Sequence, residues 1–278
     1  MPTLTLTPQH PIDLPAFAGA WWRSAWGKSL RARSCITGAA TCDGCPVRAH
    51  CPYGAVFDSP SPSAGLLSEK QSPPNPYVLK VLHSGWLPAD APITLELRLF
   101  GRAHAHESAL ITALEKAAEQ GIGSERVRFS LQTSQPLQPN PCPPAPEKAT
   151  LWLQTPLRLR VREQELRAET FNFRDFFAQV LRRCTLMQSC HGEGSFPEQD
   201  WKALLQQSES ITLHHRQLLW YEQSRYSARQ GQSIPTSGLL GSVELRGDLA
   251  PFWPFLWQGQ WLHVGKNAVM GMGGYRLI

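Results

Sequence analysis

Two runs of strand-like segments, each built around amphipathic helical stretches, are separated by a proline-rich break near the middle of the chain. Together they predict an α+β protein of tandem ferredoxin-like (RRM-like) domains, with a helical insertion in the second. A length of 278 residues suits two modest domains, and 42% hydrophobic residues can supply a core for each.

The first half reads as strand, helix, strands, helix, strand. TLTLT (3–7) alternates polar and apolar residues as a half-buried strand does. AFAGAWWRSAWGKSLRAR (16–33) fits a helix, and YVLKVL (77–82) and ITLELRLF (93–100) fit strands. ESALITALEKAAEQG (107–121) aligns Leu110, Ala113, Leu114 and Ala117 on one helical face and stops at Gly121. ERVRFSLQ (125–132) closes the half as a strand.

The second half opens on the strands ATLWLQ (149–154) and LRLRVREQELRAE (157–169). In FNFRDFFAQVLRRCTLMQSC (171–190), residues Phe173, Phe176, Phe177, Val180, Leu181, Cys184 and Met187 recur at helical spacing, which marks a core stripe. GLLGSVELRG (238–247) and the glycine-rich end read as paired strands. Proline removes backbone donors and biases its neighbours toward extended geometry, so the stretches 58–76 and 132–148 read as linkers. The expected organisation is a domain over 1–134 with a cysteine-rich loop at 35–51, a linker over 135–148, and a domain over 149–278. The latter carries a helical, basic segment (174–232) and a glycine-rich loop (265–274).

Composition narrows the function classes. No run of about 18 apolar residues appears, so no membrane span is expected. The segment MPTLTLTPQHPIDLP has neither the basic start nor the apolar block of a signal peptide, so a cytoplasmic location with reduced cysteines is expected. A net charge of +5 and a pI near 8.9 suit an anionic partner.

CITGAATCDGCPVRAHC sets Cys35, Cys42, Cys45 and Cys51 in the spacing C-x6-C-x2-C-x5-C, with Gly38, Gly44 and Pro46 to turn the chain. Four thiols so placed can converge on one tetrahedral zinc, whose role would be structural because four thiolates leave no open position. An iron–sulfur cluster would use the same ligands, and free thiols or disulfides stay open as readings of this spacing. No cofactor is expected for catalysis.

Residues 1 to 57 carry Arg23, Lys28, Arg31, Arg33 and Arg48 against only Asp13 and Asp43. Between 182 and 232, Arg182, Arg183, His214, His215, Arg216, Arg225, Tyr226 and Arg229 mix with Trp220 and Tyr221, a composition that can grip phosphates and stack on bases. Solvated helical faces are the plainer reading of both groups. The C-terminal HVGKNAVMGMGGYRLI has Gly265, Gly271, Gly273 and Gly274 beside Lys266 and Asn267. A dinucleotide fingerprint or a Walker A loop needs a helix after the glycines, and only Tyr275 to Ile278 remain. Close backbone approach by another anion, or a tight hairpin with no ligand, is what the glycines permit.

SGLLGSVELRGDLAPFWPFLWQGQWLHVGKNAVMGMGGYRLI resembles the C-terminal signature of CRISPR RNA-processing endoribonucleases of the RAMP superfamily, the Cas six group. Gly265, Lys266, Gly271, Gly273 and Gly274 match its glycine-rich loop. FNFRDFFAQVLRR and RYSARQ resemble its helix and basic run, and WRSAWGKSL with CDGCPVRAHCPYGAVF resembles its N-terminal helix and cysteine segment. The resemblance implies two ferredoxin-like domains, a CRISPR repeat RNA stem-loop as substrate, and partner subunits in an effector complex involved in antiviral defence.

It also implies metal-independent cleavage, in which the 2′-hydroxyl attacks the neighbouring phosphate and leaves a 2′,3′-cyclic phosphate. The family commonly places its catalytic histidine on or just after the first helix, yet no histidine lies between His10 and His50 here. That gap favours an arginine-based site, as in the type IV variant enzymes. Arg23 and Arg33, with Arg246 from the other domain, are the expected catalytic cations, and His50, inside the cysteine loop, is the histidine that could serve. Lys28, Arg31, Arg182, Arg183, Arg216, Arg225, Tyr226, Arg229, Gly265, Lys266, Asn267, Gly271 and Gly273 are the expected RNA-binding residues. The alternative is a RAMP-type subunit that holds guide RNA without cutting it.

Overall fold

The computed structural model describes residues 2–61, 71–133, 140–192, 200–227 and 232–278. The chain forms two compact units. One comprises Met1–Pro139 with Leu186–Phe196, the other Asn140–Thr185 with Pro197–Ile278.

The N-terminal unit runs β1 (Thr3–Pro8), β2 (Ile12–Leu14), α1 (Gly19–Ser34), α2 (Pro52–Phe57), β3 (Tyr77–Val81), β4 (Gly85–Leu87), β5 (Ile93–Leu99), α3 (Glu107–Gln120) and β6 (Phe129–Thr133). Its four-stranded antiparallel sheet has the order β3-β5-β1-β6, and β2 pairs with β4 in a small second sheet. This is the split βαβ arrangement, with the first strand inside the sheet and the last beside it. In β1 the alternation seen in the sequence becomes burial, with Leu4 and Leu6 fully enclosed. The helices lay apolar faces on the sheet. Trp26 stacks edge-on against Tyr77 at 5.0 Å and Phe57 at 4.8 Å, and its indole N–H donates to the Leu110 carbonyl at 2.9 Å. Trp22 meets Phe129 at 5.1 Å. Helix α3 ends at Gly121, where φ is 98° and a Cβ would stand 2.2 Å from the Arg126 carbonyl oxygen.

The C-terminal unit runs β7 (Lys148–Leu157), β8 (Arg160–Val161), β9 (Gln164–Glu165), α4 (Phe173–His191), α5 (Trp201–Gln207), β10 (Thr212–Tyr221), β11 (Ser224–Ser227), β12 (Gln232–Pro235), β13 (Gly238–Arg246), α6 (Trp253–Leu262) and β14 (Tyr275–Leu277); the last turns of α4 are grouped with the N-terminal unit. Its sheet order, β10-β13-β7-β14, repeats the first unit's topology strand for strand, and all neighbours are antiparallel. The α4 stripe is buried from Phe173 to Met187. Within this unit Phe176 packs on Tyr275 at 5.4 Å and Phe177 on Phe252 at 4.9 Å.

Three local expectations change. The segment 174–232 is helical only through α4 and α5; from Thr212 onward it is a strand and then the hairpin β11–β12. Most of β10 is exposed, so no hydrophobic period reports it, and pairing with β13 is what fixes its conformation. The chain end also does not pair with β13. Helix α6 intervenes, and β14 joins the far side of β7. Helix α6 was hidden by Pro254 and Gly259 within an almost wholly apolar stretch. Proline is tolerated in the first turn, and Gly259 lies where a Cβ would stand 2.2 Å from the Tyr275 hydroxyl. Of the expected linker, 135–139 lies outside the described residues. Residues 140–147 are docked, with the indole N–H groups of Trp253 and Trp257 donating to the carbonyls of Pro143 and Asn140. Among the described residues, no helix is long and apolar enough to cross a membrane.

Candidate nucleic-acid interface

In the N-terminal unit, α1 carries the expected catalytic arginines ten residues apart, about 15 Å along the helix axis. Arg23 is half-buried. Its Nε donates to the Tyr77 hydroxyl at 2.8 Å and its guanidinium lies 5.4 Å from the Phe57 ring centroid. Tyr77 is wholly enclosed, and burial pushes its hydroxyl pKa up, so it stays a neutral acceptor for Arg23. Lys28 and Arg33 are exposed on the helix. Arg31 turns instead to the cysteine loop, donating from Nη2 to the carbonyls of Ala39 and Ala40 and lying 5.3 Å from the Tyr53 ring centroid. His50 is exposed at the end of that loop, its backbone N–H donating to the Val47 carbonyl.

The four cysteines are unpaired and all line one small cavity, with Arg48, Val47 and Tyr53 among its other walls. Among the described residues, no three His, Cys, Asp or Glu side chains are gathered tightly enough to grip an ion.

In the C-terminal unit, the outward face of the sheet presents a surface that the sequence reading missed. The pairing places Gln217, Ser242, Trp152 and Arg276 in one row across β10, β13, β7 and β14. Trp152 is 44% exposed, and Arg276 and Gln217 are exposed beside it. Two rows away along the strands stand His214, Glu244 and Thr150, and beyond them Thr212, Arg246 and Lys148. An exposed indole flanked by a guanidinium and an amide is a surface on which a base can stack while its edge is hydrogen-bonded. The signal was present in ATLWLQ, where Trp152 has the opposite parity to the buried Leu151 and Leu153.

The sheet also separates two expected parts of the site. Arg246 pairs with Lys148 at the start of β7, whereas the Lys266 N–H bonds the Arg158 carbonyl just past its end. That is ten residues of strand, roughly 30 Å. Arg246 is moreover paired with Glu244, a carboxyl held below its ordinary pKa range mainly by that hydrogen bond.

The glycine-rich loop is a packing device for most of its length. Gly273 has φ 65°, and a Cβ there would fall 1.7 Å from the Val264 carbonyl oxygen. The N–H groups of Val264, Met270, Gly271 and Gly273 bond the carbonyls of Gly273, Asn267, Ala268 and Pro156, and that of Gly274 bonds the Thr155 hydroxyl. These donors are spent internally. Gly265 and Lys266 at the tip are exposed, Asn267 is partly so with φ 62°, and Gly271 and Gly273 are buried. His263, absent from the expected site, is buried behind the loop, with Nδ1 3.0 Å from the Met272 carbonyl oxygen.

The basic insertion divides in the same way. Arg182 is exposed on α4. Arg183 is half-buried, with Nε and Nη2 each 3.4 Å from the Leu262 carbonyl oxygen, and burial pushes its pKa down to about 10. It caps the C-terminal end of α6, a structural task. Arg216 donates to the Phe171 carbonyl at 2.6 Å. Trp220 is covered by Arg167, whose guanidinium lies 3.6 Å from the ring centroid. Arg225 and Tyr226 sit on β11, and Arg229 lies outside the described residues.

Comparison with known proteins places this geometry. Residues 2–163 match the AF_1859_N family model of an N-terminal domain, and residues 151–275 match that of the CRISPR-associated endoribonuclease Cas6. No curated protein matches the chain. Among solved structures, a Cas6 product complex superposes with a TM-score of 0.64 at 15% identity over 100% of both chains. Thermus thermophilus Cas6 gives 0.52 at 13% identity, covering 100% of this chain and 98% of its own. The product of a Cas6-related gene from Pyrococcus furiosus gives 0.52 at 12% identity, again covering 100% and 98%. At such identities the likeness is one of fold. The chain belongs to the AF_1859_N family through its N-terminal half, and carries the Cas6 endoribonuclease pattern over residues 151–275 on the tandem ferredoxin-like fold of Cas6.

Proposed function

We propose that the protein is a metal-independent endoribonuclease that cuts the stem-loop repeat of CRISPR precursor RNA in the cytoplasm and stays on the mature guide RNA within an effector complex. The observation that carries this reading is the Cas6 pattern over 151–275 lying on a fold that matches Cas6 along the whole chain. The outward sheet face with Trp152, Arg276, Lys148 and Arg246 supports an RNA occupant.

The 2′-oxygen attacks the adjacent phosphorus as its proton passes to solvent water, and the bond to the 5′-oxygen breaks as that oxygen takes a proton from solvent. The products are a 2′,3′-cyclic phosphate and a 5′-hydroxyl. The reaction needs positioning of the 2′-oxygen and cations on the phosphorane. Arg23 and Arg33 on α1 and Arg246 on β13 are assigned to phosphate oxygens, with Lys28, Lys266 and Arg182 along the track. Arginine holds its proton above about pH 12 and so contributes charge and geometry rather than proton transfer. This is the arginine-based chemistry of the type IV variants, and it makes a slow enzyme. His50 is the alternative proton carrier.

A second reading, a silent RAMP subunit that only holds guide RNA, draws on the lack of a histidine on α1 and on the engagement of Arg23 with Tyr77. Incubation of the protein with repeat RNA in EDTA separates the two. Cleavage to a cyclic phosphate end supports the enzyme; RNA bound and intact supports the subunit.

A further inference from the structure

The loop from Cys35 to Cys51 has no helix or strand, and its residues are mostly exposed. Loops of this length without secondary structure need some other source of order. Here the apolar support is slight. Val47 is the one half-covered aliphatic side chain within it, while Ile36 stands 80% exposed.

Its cysteines sit where the chain changes course. Cys35 ends α1 and Cys51 precedes the first residue of α2, so the loop begins and ends on a thiol. The Cys51 Sγ lies 3.6 Å from the Ser34 carbonyl oxygen, which brings it beside the end of α1 and hence beside Cys35. The other two thiols flank a tight turn. The Cys45 N–H bonds the Cys42 carbonyl and Gly44 takes φ 72°, so the two Cα atoms lie within about 7 Å. All four line the same cavity, whose free volume of about 20 Å³ suits a single ion or water.

One guanidinium beside the loop offsets part of the charge such an ion would bring. Four thiolates and one divalent ion carry a net −2. Arg31 reaches over from α1 to the Ala40 carbonyl at 2.7 Å, while Arg48, within the loop, is itself paired with Asp58 at 3.0 Å and Asp43 at 3.4 Å.

We propose that Cys35, Cys42, Cys45 and Cys51 form a tetrahedral site for one zinc ion, closed to substrate, that folds this loop onto the end of α1. Binding requires the thiols to turn inward by rotamer change, into the cavity they already line. Each loses its proton to solvent on binding, with no change of oxidation state. The site fixes Arg31 and the exposed Arg33 at the C-terminal end of α1, and it takes no part in bond cleavage.

The test is metal analysis of the full chain expressed with zinc in the medium, beside C45S and C42S/C45S. About one zinc per chain is expected in the wild type and about one tenth of that or less in the double variant. A strong chelator should lower the wild-type thermal midpoint and leave that of C42S/C45S unmoved. The reduced wild type failing to hold zinc, or metal content unchanged in C42S/C45S, would overturn the proposal. Iron with the visible absorption of an iron–sulfur cluster would overturn the choice of zinc. Both readouts stand independently of cleavage, so a silent subunit would still show the site.

Discussion

Replacing Gly273 by alanine tests whether the glycine-rich loop is built for packing or for ligand approach. At φ 65° an alanine costs about 1–2 kcal/mol in backbone strain alone. Its Cβ would also lie 1.7 Å from the Val264 carbonyl oxygen, against an ordinary contact above 3.0 Å, so the backbone must move by more than an ångström. That shift breaks the pairing of Val264 N–H with Gly273 and of Gly273 N–H with Pro156, each worth about 1 kcal/mol. The sum is about 3–4 kcal/mol. Gly38 supplies the control, because it has the same φ of 65° and nothing within 4 Å of its would-be Cβ. Gly38→Ala should therefore cost only the strain. In urea, with a slope of about 2 kcal/mol/M for a unit of this size, Gly273→Ala should lower the midpoint by about 2 M and Gly38→Ala by about 0.5–1 M. Equal shifts would refute the packing account. Normal stability of Gly273→Ala with lost RNA affinity would favour ligand approach over packing.

Arg183→Met removes a guanidinium that burial has already pushed down to about 10, so stability should stay within about 1 kcal/mol of wild type or rise, and RNA affinity should not change. The folded state releases that proton before the unfolded state does. The wild type should therefore gain on Arg183→Met as pH climbs above about 10. A large loss of RNA affinity in Arg183→Met would return this residue to the interface. Arg23→Ala, Arg33→Ala and Arg246→Ala should each slow cleavage by about tenfold or more without a matching loss of binding. Normal rates in all three would remove the arginine assignment. Trp152→Ala should weaken RNA binding by about 1–3 kcal/mol while barely touching stability, since the indole is largely outside the core.

How much was legible follows from where each signal resides. Elements with a one-sided period, such as the alternation of Leu4 and Leu6 or the seven-residue stripe of α4, announce themselves because burial imposes the period. Strand β10 could not, since its conformation comes from partners 17 to 34 residues away and most of its side chains face solvent. The charges were legible as a list and not as a surface. Arg31, Arg183 and Arg216 all turn to backbone carbonyls, which only tertiary structure provides. Trp152 and Arg276 become neighbours only once β14 is seen beside β7 rather than beside β13. The glycines pointed to close approach by an anion, and the group found within reach is the chain's own backbone around Val264 and Pro156.

The most direct test of the central claim uses two repeat RNAs, identical except for one 2′-deoxyribose at the cut site, each incubated with the protein in EDTA. The account predicts that the ribose substrate is cut to a 2′,3′-cyclic phosphate while the deoxy substrate binds equally well and stays whole. Cutting of the deoxy substrate, or survival of both, would contradict it.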